Sequence, residues 1–421
     1  MRIFCRLLAL AVICASYACT RTGIEPGVLP ASGTGASLAA ASAYRVLYTF
    51  KGGTDGYYPA SSLVAVNGAL YGTTQYGGGP KAQGIVFKIT LPSGKESILY
   101  RFKGGADGSE PTSALAYFNG ELYGTTVDGG DQSPPCSGAC GTVFAVSLTG
   151  HKRTVHAFTS GLDGAGPTSG LVLDNGKLYG ETGSGGCSAS QGGDGTIYTI
   201  SSSSAESVIS KFNCPTTTYG PVSPTGGLVP YKGSLYGVTP SGGVQCPTMT
   251  TCGTFFRVSP NGSVKFLYSF RGGRDGKQPY GVAQYHGTFY GTTEFGGNNA
   301  GECGGFGCGV VFAISLSGSE RVIYKFRGNK DGFSPRAAPI ALGSMLYGTT
   351  AYGGGTGCTT GCGTLYSVTP SGSERVLHAF IGNSDGSTPI AAPYVFGKSL
   401  YGTAVELSGS GSGGIVYQFT P

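Results

Sequence analysis

The stretch ALYGTTQYGGG at residues 69–79 decides the fold, because close copies of its first half recur along the chain. In each copy a tyrosine follows leucine, or Phe289 in one case, and precedes glycine. The tyrosines are Tyr71, Tyr123, Tyr179, Tyr236, Tyr290, Tyr347 and Tyr401. Successive tyrosines are 52, 56, 57, 54, 57 and 54 residues apart. Such a period is typical of a solenoid, an array or a propeller.

One complete repeat contains four predicted strands, named A to D in chain order. They are SSLVAV at 61–66, ALYGTT at 69–74, GIVFKIT at 84–90 and ESILYRF at 96–102. Asn67-Gly68 joins A to B and strongly favours a tight hairpin. A glycine-rich loop joins B to C, and a short turn joins C to D. Four antiparallel strands per repeat predict the blade of a β-propeller.

The two ends of the repeat region complement each other. It opens at 44–50 with a lone D strand and finishes at 414–421 with a C strand that has no D strand after it. We therefore expect an all-β, seven-bladed propeller in which the N-terminal strand completes the last blade and hides the strand edges. The competing linear β-solenoid leaves this complementarity unexplained. Pro230, Pro339 and Pro393 fall in or beside A strands, which favours A as the innermost strand with an unpaired edge.

The composition excludes several classes of protein. The 421 residues include 78 Gly, 26 Tyr, 21 Phe and no Trp. Glycine at this density destabilises helices, whereas Tyr and Phe favour strands. The formal net charge is +6, and no cluster of Lys or Arg is interleaved with aromatic residues, so we expect no nucleic-acid partner.

The N-terminus predicts export. Residues 1–18 have a basic start, an apolar stretch and small residues, as a signal peptide does, and the apolar run is too short to span a membrane. Residues 19–43 are rich in Gly, Ala, Ser and Pro and predict a flexible tether. Cys19 is a candidate for lipidation, and plain secretion is the alternative. Ten cysteines follow Cys19, and ten can pair completely, which favours a lipidated Cys19.

The repeat resembles a known bacterial one. The pattern G-T-V-F-x-I-T-x-x-G-S-E-x-V-L-Y-x-F-x-G-G-x-D-G-x-x-P, followed by N-G-x-L-Y-G-T-T, is similar to the tandem repeat of GloVer-type, choice-of-anchor proteins. The resemblance covers about residues 44–421, the predicted propeller domain, and recurs seven times. It implies an exported or surface-attached protein with no assigned activity. Relatives with a C-terminal anchoring segment differ from this chain, so Cys19 is its only anchor candidate. The blades also look like those of quinoproteins, but the absence of Trp argues against a quinone cofactor.

Six of the seven D-to-A loops carry an aspartate before glycine at matching places. These are Asp55, Asp107, Asp163, Asp275, Asp331 and Asp385. A ring of carboxylates suggests a cation, but six copies on separate blades are too dispersed to share the 6 to 8 oxygen ligands of one calcium ion. We interpret them as structural residues that form Asx turns with the following glycine.

The B-to-C loops hold most of the cysteines. Close pairs are Cys136 and Cys140, Cys246 and Cys252, Cys303 and Cys308, and Cys358 and Cys362. Such spacing also suits half of a zinc site, but the pairs lie on different blades and export favours disulfides. Cys187 and Cys214 each lack a close neighbour and lie in a B-to-C loop and a D-to-A loop of one repeat. We predict that they form a disulfide between the two loops.

Catalytic candidates are few. His151 and His286 lie in or near turns, and His156 and His378 replace a tyrosine of the sister D strands. The residues that follow the loop prolines are expected at the channel mouth: Ala60, Thr112, Thr168, Thr225, Tyr280, Arg336 and Ile390. They contain no pair of carboxylates for glycoside hydrolysis. No residue is predicted to be catalytic, to bind a cofactor or to hold a metal.

These observations favour a monomeric, noncatalytic binding protein. Its partner is expected to be an extracellular protein or glycan that meets the face bearing the D-to-A and B-to-C loops. An extracellular enzyme acting on a polysaccharide or another polymer, and a structural envelope component, are the alternatives. Contact with a membrane is expected only through a lipid on Cys19.

Overall fold

The computed structural model describes residues 43–421 except 132, 134–135, 137–139, 188–192, 213–222, 244–251, 298–302 and 407–412. The predicted signal peptide, residues 19–42 of the predicted tether (with Cys19), Cys214 and Cys246 lie outside the described residues, whereas Ala43, the last residue of the predicted tether, belongs to a strand. We number the strands β1 to β28 in chain order.

The described chain forms seven four-stranded antiparallel sheets. The A strands of blades 1 to 7 are β2 (Val64–Val66), β6 (Ala116–Phe118), β10 (Val172–Asp174), β14 (Val229–Tyr231), β18 (Lys277–Tyr285), β22 (Ile340–Leu342) and β26 (Tyr394–Phe396). The B strands are β3 (Ala69–Thr74), β7 (Glu121–Thr126), β11 (Lys177–Thr182), β15 (Ser234–Thr239), β19 (Thr288–Phe295), β23 (Met345–Thr350) and β27 (Ser399–Ala404).

The C strands are β4 (Ile85–Thr90), β8 (Thr142–Ser147), β12 (Thr196–Ile200), β16 (Thr254–Val258), β20 (Val310–Ile314), β24 (Thr364–Val368) and β28 (Ile415–Thr420). The D strands of blades 1 to 6 are β5 (Lys95–Arg101), β9 (Lys152–Ala157), β13 (Glu206–Lys211), β17 (Val264–Ser269), β21 (Glu320–Lys325) and β25 (Glu374–Ala379). Short 3-10 turns at Gly53–Asp55, Gly105–Asp107 and Asn383–Asp385 lie in D-to-A loops. This is the predicted seven-bladed all-β propeller.

The N-terminal strand closes the ring. β1 (Ala43–Thr49) is the D strand of blade 7 and pairs with β28 from Ala43–Thr420 to Thr49–Ile415. Blade 7 also contacts blade 1, since Thr403 Oγ1 donates to Ser61 O at 3.0 Å and Ser62 Oγ donates to Ala392 O at 2.8 Å. The predicted closure is therefore confirmed.

The first A strand is shorter than predicted. Strand A was expected over 61–66, but β2 includes only Val64–Val66. Ser61 lies outside the ladder because its hydroxyl accepts hydrogen bonds from the Thr73 backbone N–H at 3.3 Å and from Thr73 Oγ1 at 3.0 Å.

The core lies at the seams between blades. At each seam the phenylalanine that follows a D strand packs edge-on against the C-strand aromatic residue of the next blade. The pairs are Phe50–Phe87, Phe102–Phe144, Phe158–Tyr198, Phe212–Phe256, Phe270–Phe312, Phe326–Tyr366 and Phe380–Tyr417, with ring centroids 5.0–5.5 Å apart. Edge-on aromatic pairs add to the hydrophobic stabilisation of burial. These pairs join the blades in a chain that contains no Trp.

Four of the five residues of Leu-Tyr-Gly-Thr-Thr have separate roles in blade 1. Leu70 is fully buried. Gly72 leaves room for the Phe87 ring, because a Cβ at Gly72 would lie 2.6 Å from Phe87 Cζ. The Thr73 hydroxyl donates to Ser113 O of blade 2 at 3.3 Å, and Thr74 Oγ1 donates to Tyr76 O at 2.9 Å, at the start of the B-to-C loop. The phrase recurs because all seven blades use the same core contact, five make the seam bond and six make the loop-start bond.

Gly72→Ala is expected to destabilise the protein by about 1–3 kcal/mol, because the added methyl group overlaps the Phe87 ring. Chemical denaturation measures the change. Gly273→Ala is the matched control, since a Cβ there has no neighbour within 4 Å. Equal stabilities of the two variants would contradict this explanation of the repeated glycine.

Candidate functional site

The D-to-A and B-to-C loops lie together on one face of the ring, which we call the loop face. Isolated backbone bridges join the two loops of a blade. They are Tyr57–Tyr76, Ser109–Asp128, Ala165–Ser184 and Phe333–Tyr352. The A-to-B and C-to-D turns are at the opposite ends of the strands. The loop face therefore carries both sets of longer loops, whereas the opposite face carries the A-to-B and C-to-D turns.

The six predicted turn aspartates have matching contacts. In blade 7's D-to-A loop, Asp55 accepts hydrogen bonds from the Lys51 backbone N–H at 2.7 Å and from the Tyr48 hydroxyl at 2.9 Å. The other aspartates accept from the corresponding N–H and D-strand side chain: Asp107, Asp163, Asp275, Asp331 and Asp385. Within the described residues no three or more His, Cys, Asp or Glu side chains are grouped to hold a metal.

Two histidines take the place of tyrosine in this contact. His156 Nε2 lies 3.1 Å from Asp163 Oδ2, and His378 Nε2 lies 3.1 Å from Asp385 Oδ2. The two rings also pack edge-on against Phe158 and Phe380. These histidines therefore hold loop aspartates as well as pack in the D strands.

Disulfides hold three described B-to-C loops. The bonded pairs are Cys136–Cys140, Cys303–Cys308 and Cys358–Cys362, with Cα atoms 5.2–5.3 Å apart. Cys187 and Cys252 are also disulfide-bonded. Because Cys214 and Cys246 lie outside the described residues, the Cys187–Cys214 and Cys246–Cys252 pairs stay predictions.

A sharp turn precedes each residue expected at the channel mouth. The residue before each loop proline has a left-handed backbone, with φ between 52° and 64°; these residues are Tyr58, Glu110, Gly166, Ser223, Gln278, Ser334 and Thr388. Most side chains rarely adopt this conformation. The residues after the prolines are partly or fully exposed: Ala60, Thr112, Thr168, Thr225, Tyr280, Arg336 and Ile390. Arg336 is the one charged residue among these seven, and the other six are uncharged.

A buried ion pair breaks the sevenfold symmetry at the mouth. Glu294, at the end of the blade 5 B strand, is 4% exposed, and its Oε1 accepts from Arg336 Nη2 at 2.6 Å and from Arg336 Nε at 2.9 Å. Ser334 Oγ donates to the same oxygen at 3.1 Å. The guanidinium remains one-third exposed. Charge-assisted bonds of this geometry fix the direction of an arginine side chain.

Three tyrosines interact with this ion pair. The Arg336 guanidinium carbon lies 5.7 Å from the centre of the Tyr352 ring, within reach of a cation–π contact. Burial, together with the nearby Glu294 carboxylate, raises the pKa of Tyr280 to about 12. Burial also raises the pKa of Tyr58, although the Arg336 charge opposes this shift. We call Tyr58, Tyr280, Glu294, Arg336 and Tyr352 the mouth cluster.

The mouth cluster joins blades that are not neighbours. Tyr58 precedes blade 1, whereas Arg336 and Tyr352 belong to blade 6, and blade 7 lies between them. The charge of Arg336 nevertheless acts on the Tyr58 phenol, so the two side chains interact electrostatically although blade 7 lies between their blades. The sequence placed Tyr280 and Arg336 at the mouth but missed Glu294, Tyr58 and Tyr352.

The blades differ by an acidic residue near the end of one B strand. The signal for the missed acid was the glutamate after Gly-Thr-Thr in blade 5, where the sister repeats have Gln75, Val127, Gly183, Pro240, Ala351 and Val405. Its side chain is buried because a basic partner on the next blade reaches it.

The fold is similar to that of solved enzymes. An oligogalacturonate lyase from Vibrio parahaemolyticus is 10% identical with a TM-score of 0.51, over 90% of this chain and 97% of that chain. An oligogalacturonate lyase in complex with manganese is 9% identical with a TM-score of 0.50, over 87% of this chain and 89% of that chain. At these identities the likeness concerns the fold alone.

The sequence matches no curated protein. Within the described residues, no helix has the length and apolar character that a membrane crossing needs. The Gloeobacter/Verrucomicrobia repeat matches residues 17–136, 77–304 and 133–360 in three overlapping stretches. These stretches span most of the chain, and so the chain belongs to the Gloeobacter/Verrucomicrobia repeat family.

Proposed function

We propose that this protein is an exported, noncatalytic binding protein that holds a glycan at the mouth cluster. The observation that carries the proposal is the asymmetry of the mouth, where blades 5, 6 and 1 contribute three tyrosines and an ion pair. A propeller with a purely structural role would not need some blades to differ from the others at this place. Concave sites with aromatic side chains and a few fixed polar groups are typical of ligand binding.

The chemistry of the mouth cluster suits a sugar ring. Tyrosine faces pack against the C–H faces of a pyranose, and phenol and guanidinium groups bond its hydroxyls. Glu294 compensates the charge of Arg336, so the pair offers directed hydrogen bonds without a strong net field. This combination favours a neutral, polyhydroxylated ligand over a polyanion.

The surrounding loop face supports contact with a larger polymer. Exposed apolar side chains lie in its loops at Tyr57, Leu162, Phe306 and Ile381. Three described B-to-C loops are closed by disulfides, which limits the entropy that these loops lose when a partner binds. The mouth therefore lies within a surface of fixed loops that can contact further sugar units.

An extracellular enzyme is the second candidate, because two solved structures of similar fold are lyases by name. The mouth cluster favours binding over catalysis, since its one carboxylate is already bonded to Arg336 and Ser334. An array of bacterial and plant glycans, combined with hydrolase and lyase substrate panels, separates the two. We expect stoichiometric binding without turnover. Turnover of any panel substrate would contradict the noncatalytic assignment.

The proposal includes attachment to the membrane through a lipid on Cys19. A Cys19→Ala variant is expected to move from the membrane fraction to the soluble exported fraction, because it lacks the thiol to which the lipid is joined. Fractionation of cells that express each form measures the shift. Wild-type protein found in the soluble fraction would contradict lipidation and favour plain secretion.

A further inference from the structure

The loop aspartates take part in a second set of contacts across the blade seams. The aspartate of the D-to-A loop that precedes a blade interacts with one equivalent position near the start of that blade's D strand, six residues before the seam phenylalanine. Four seams place a glutamate at this position: Glu96 facing Asp55, Glu206 facing Asp163, Glu320 facing Asp275 and Glu374 facing Asp331. The two carboxyl groups at each of these seams are therefore near enough to interact electrostatically, and each glutamate lies on the outermost strand of its blade.

The other three seams indicate what this position needs. At one seam Lys152 Nζ donates to Asp107 O at 2.6 Å and to Asp107 Oδ1 at 2.8 Å. At another the Tyr44 hydroxyl donates to Asp385 O at 3.0 Å. Both side chains are hydrogen-bond donors toward the aspartate residue of the neighbouring blade.

At the remaining seam, before blade 4, both the loop aspartate and the D-strand donor are missing. The loop that precedes blade 4, residues 213–222, has no aspartate in its sequence. The corresponding D-strand position of blade 4 is Val264, which is not a donor. The donor and the aspartate are thus present together or absent together around the ring.

An ionised glutamate cannot act as this donor. In all four glutamates Oε1 is enclosed and has no hydrogen-bond partner among the described residues: Glu96, Glu206, Glu320 and Glu374. Glu320 Oε2 lies 3.3 Å from the Tyr268 hydroxyl, which also donates to Asp275 Oδ2 at 2.8 Å. Two like charges in such a position repel each other, whereas a protonated glutamate supplies the missing O–H donor.

Burial and the nearby charged groups together set the pKa of each glutamate. Burial and then Asp55 raise the pKa of Glu96 to about 7, against the nearby Arg101, and Tyr48 lies beside the same pair. Burial and then Asp275 raise the pKa of Glu320 to about 7, against Tyr268 and Arg271.

The other two glutamates have similar surroundings. Burial and then Asp331 raise the pKa of Glu374 to about 7, against Tyr324 and Arg327, and Tyr366 lies nearby. Burial raises the pKa of Glu206, with His156 opposing the shift and Asp163 adding to it; Tyr198 also faces this group. All four shifts have the same direction.

We infer that Glu96, Glu206, Glu320 and Glu374 are protonated donors that join neighbouring blades, and that the ring loosens at these four seams when their protons are lost. Carboxyl pairs recur at equivalent places in four seams, and Lys152 and Tyr44 are permanent donors at the same place in two other seams. Both observations indicate that this position needs a hydrogen-bond donor. The propeller is therefore tightest in mildly acidic surroundings.

The sign of the pH dependence follows from linkage. In the folded protein Glu96, Glu320 and Glu374 have pKa values of about 7 and that of Glu206 is raised, whereas an unfolded glutamate loses its proton near its ordinary pKa of 4.5. The folded state then binds more protons between these values, so stability falls as pH rises through this window and levels off above it. The partial exposure of the four glutamates reduces the size of the effect.

The test compares the wild-type protein with a variant that carries Glu→Gln at 96, 206, 320 and 374. Glutamine is a permanent neutral donor, so it imitates the protonated acid. We expect the wild-type Tm to fall by roughly 5 °C between about pH 5 and about pH 8.5, and the variant to show a clearly smaller fall. The remaining fall comes from the buried Glu181, whose pKa is also raised to about 7 and which the variant keeps. Glu121→Gln is the matched control, at a glutamate that pairs with Arg153.

Infrared difference spectra on the wild-type protein give a readout that does not depend on the variant folding. The C=O band of protonated carboxyl groups should be present near pH 6 and largely lost by about pH 8.5, and each single Glu→Gln variant should remove part of it. A quadruple variant with the full wild-type pH dependence, or a wild-type protein without the band, would overturn the inference. So would calcium chloride that restores wild-type stability at about pH 8.5, because the seams would then bind cations.

Discussion

A chain that lacks residues 44–50 is expected to lose at least about 5 kcal/mol of stability and to aggregate. The deletion removes Phe50, which is fully buried. Its ring packs against the ring of Phe87 in blade 1, with the two ring centroids 5.0 Å apart. Loss of a buried phenylalanine alone costs about 3–5 kcal/mol. The deletion also removes the pairing of β1 with β28 and leaves an unpaired strand edge in blade 7.

Thermal unfolding and size-exclusion chromatography measure this effect. A chain that begins at residue 42 is the control, because it retains β1 and Phe50. A synthetic peptide of residues 43–50 should restore part of the stability by pairing with β28. Identical unfolding curves with and without residues 44–50 would show that the N-terminal strand does not close the ring.

Glu181→Thr is expected to stabilise the protein by about 3 kcal/mol above pH 7 and to have little effect near pH 5. Glu181 stands in blade 3 where five sister blades have threonine: Thr73, Thr125, Thr292, Thr349 and Thr403. Its side chain is fully buried, Oε2 accepts from the Gly227 N–H at 2.9 Å, and burial raises its pKa to about 7.

The direction of this effect follows from the raised pKa. The folded state keeps Glu181 protonated at pH values where the unfolded chain has lost that proton, so the wild-type protein loses stability as pH rises through about 7. Threonine has no such proton, and each pKa unit removed is worth about 1.4 kcal/mol. Urea unfolding at about pH 5 and about pH 8.5 measures both values. A stability difference that is the same at both pH values would contradict a buried acid at this site.

The sequence predicted the ring because its evidence is local and repeated. The Leu-Tyr-Gly-Thr-Thr phrase marks a B strand in every blade, and the lone D strand at 44–50 matches the incomplete blade at the C-terminus. Both signals depend only on order along the chain. The length of the first A strand was less accurate, since the Ser61 hydroxyl bonds to Thr73 and leaves the ladder at Val64.

The mouth cluster and the seam pairs were harder to predict because their members meet only in the closed ring. Arg336 and Tyr58 are far apart in sequence and lie on blades separated by blade 7. Glu96 and Asp55 belong to one repeat in sequence, but Asp55 is bonded to the D strand of blade 7. Alignment of the repeats shows which residues differ between blades, whereas the partner of each one depends on the curvature of the ring.

The measurement that tests the binding proposal most directly is calorimetric titration of the strongest glycan from the array. The wild-type protein is compared with an Arg336→Thr/Glu294→Ala double variant, which takes both residues from sister blades, as in Thr112 and Ala351. Removing both partners avoids leaving a buried charge unpaired. Tyr117→Ala, at an exposed A-strand tyrosine outside the mouth cluster, is the matched control. We predict one site per ring and an affinity at least about tenfold lower in the double variant, or about 1.4 kcal/mol, at unchanged Tm. Equal affinities for wild-type protein and double variant would contradict the mouth cluster as the binding site.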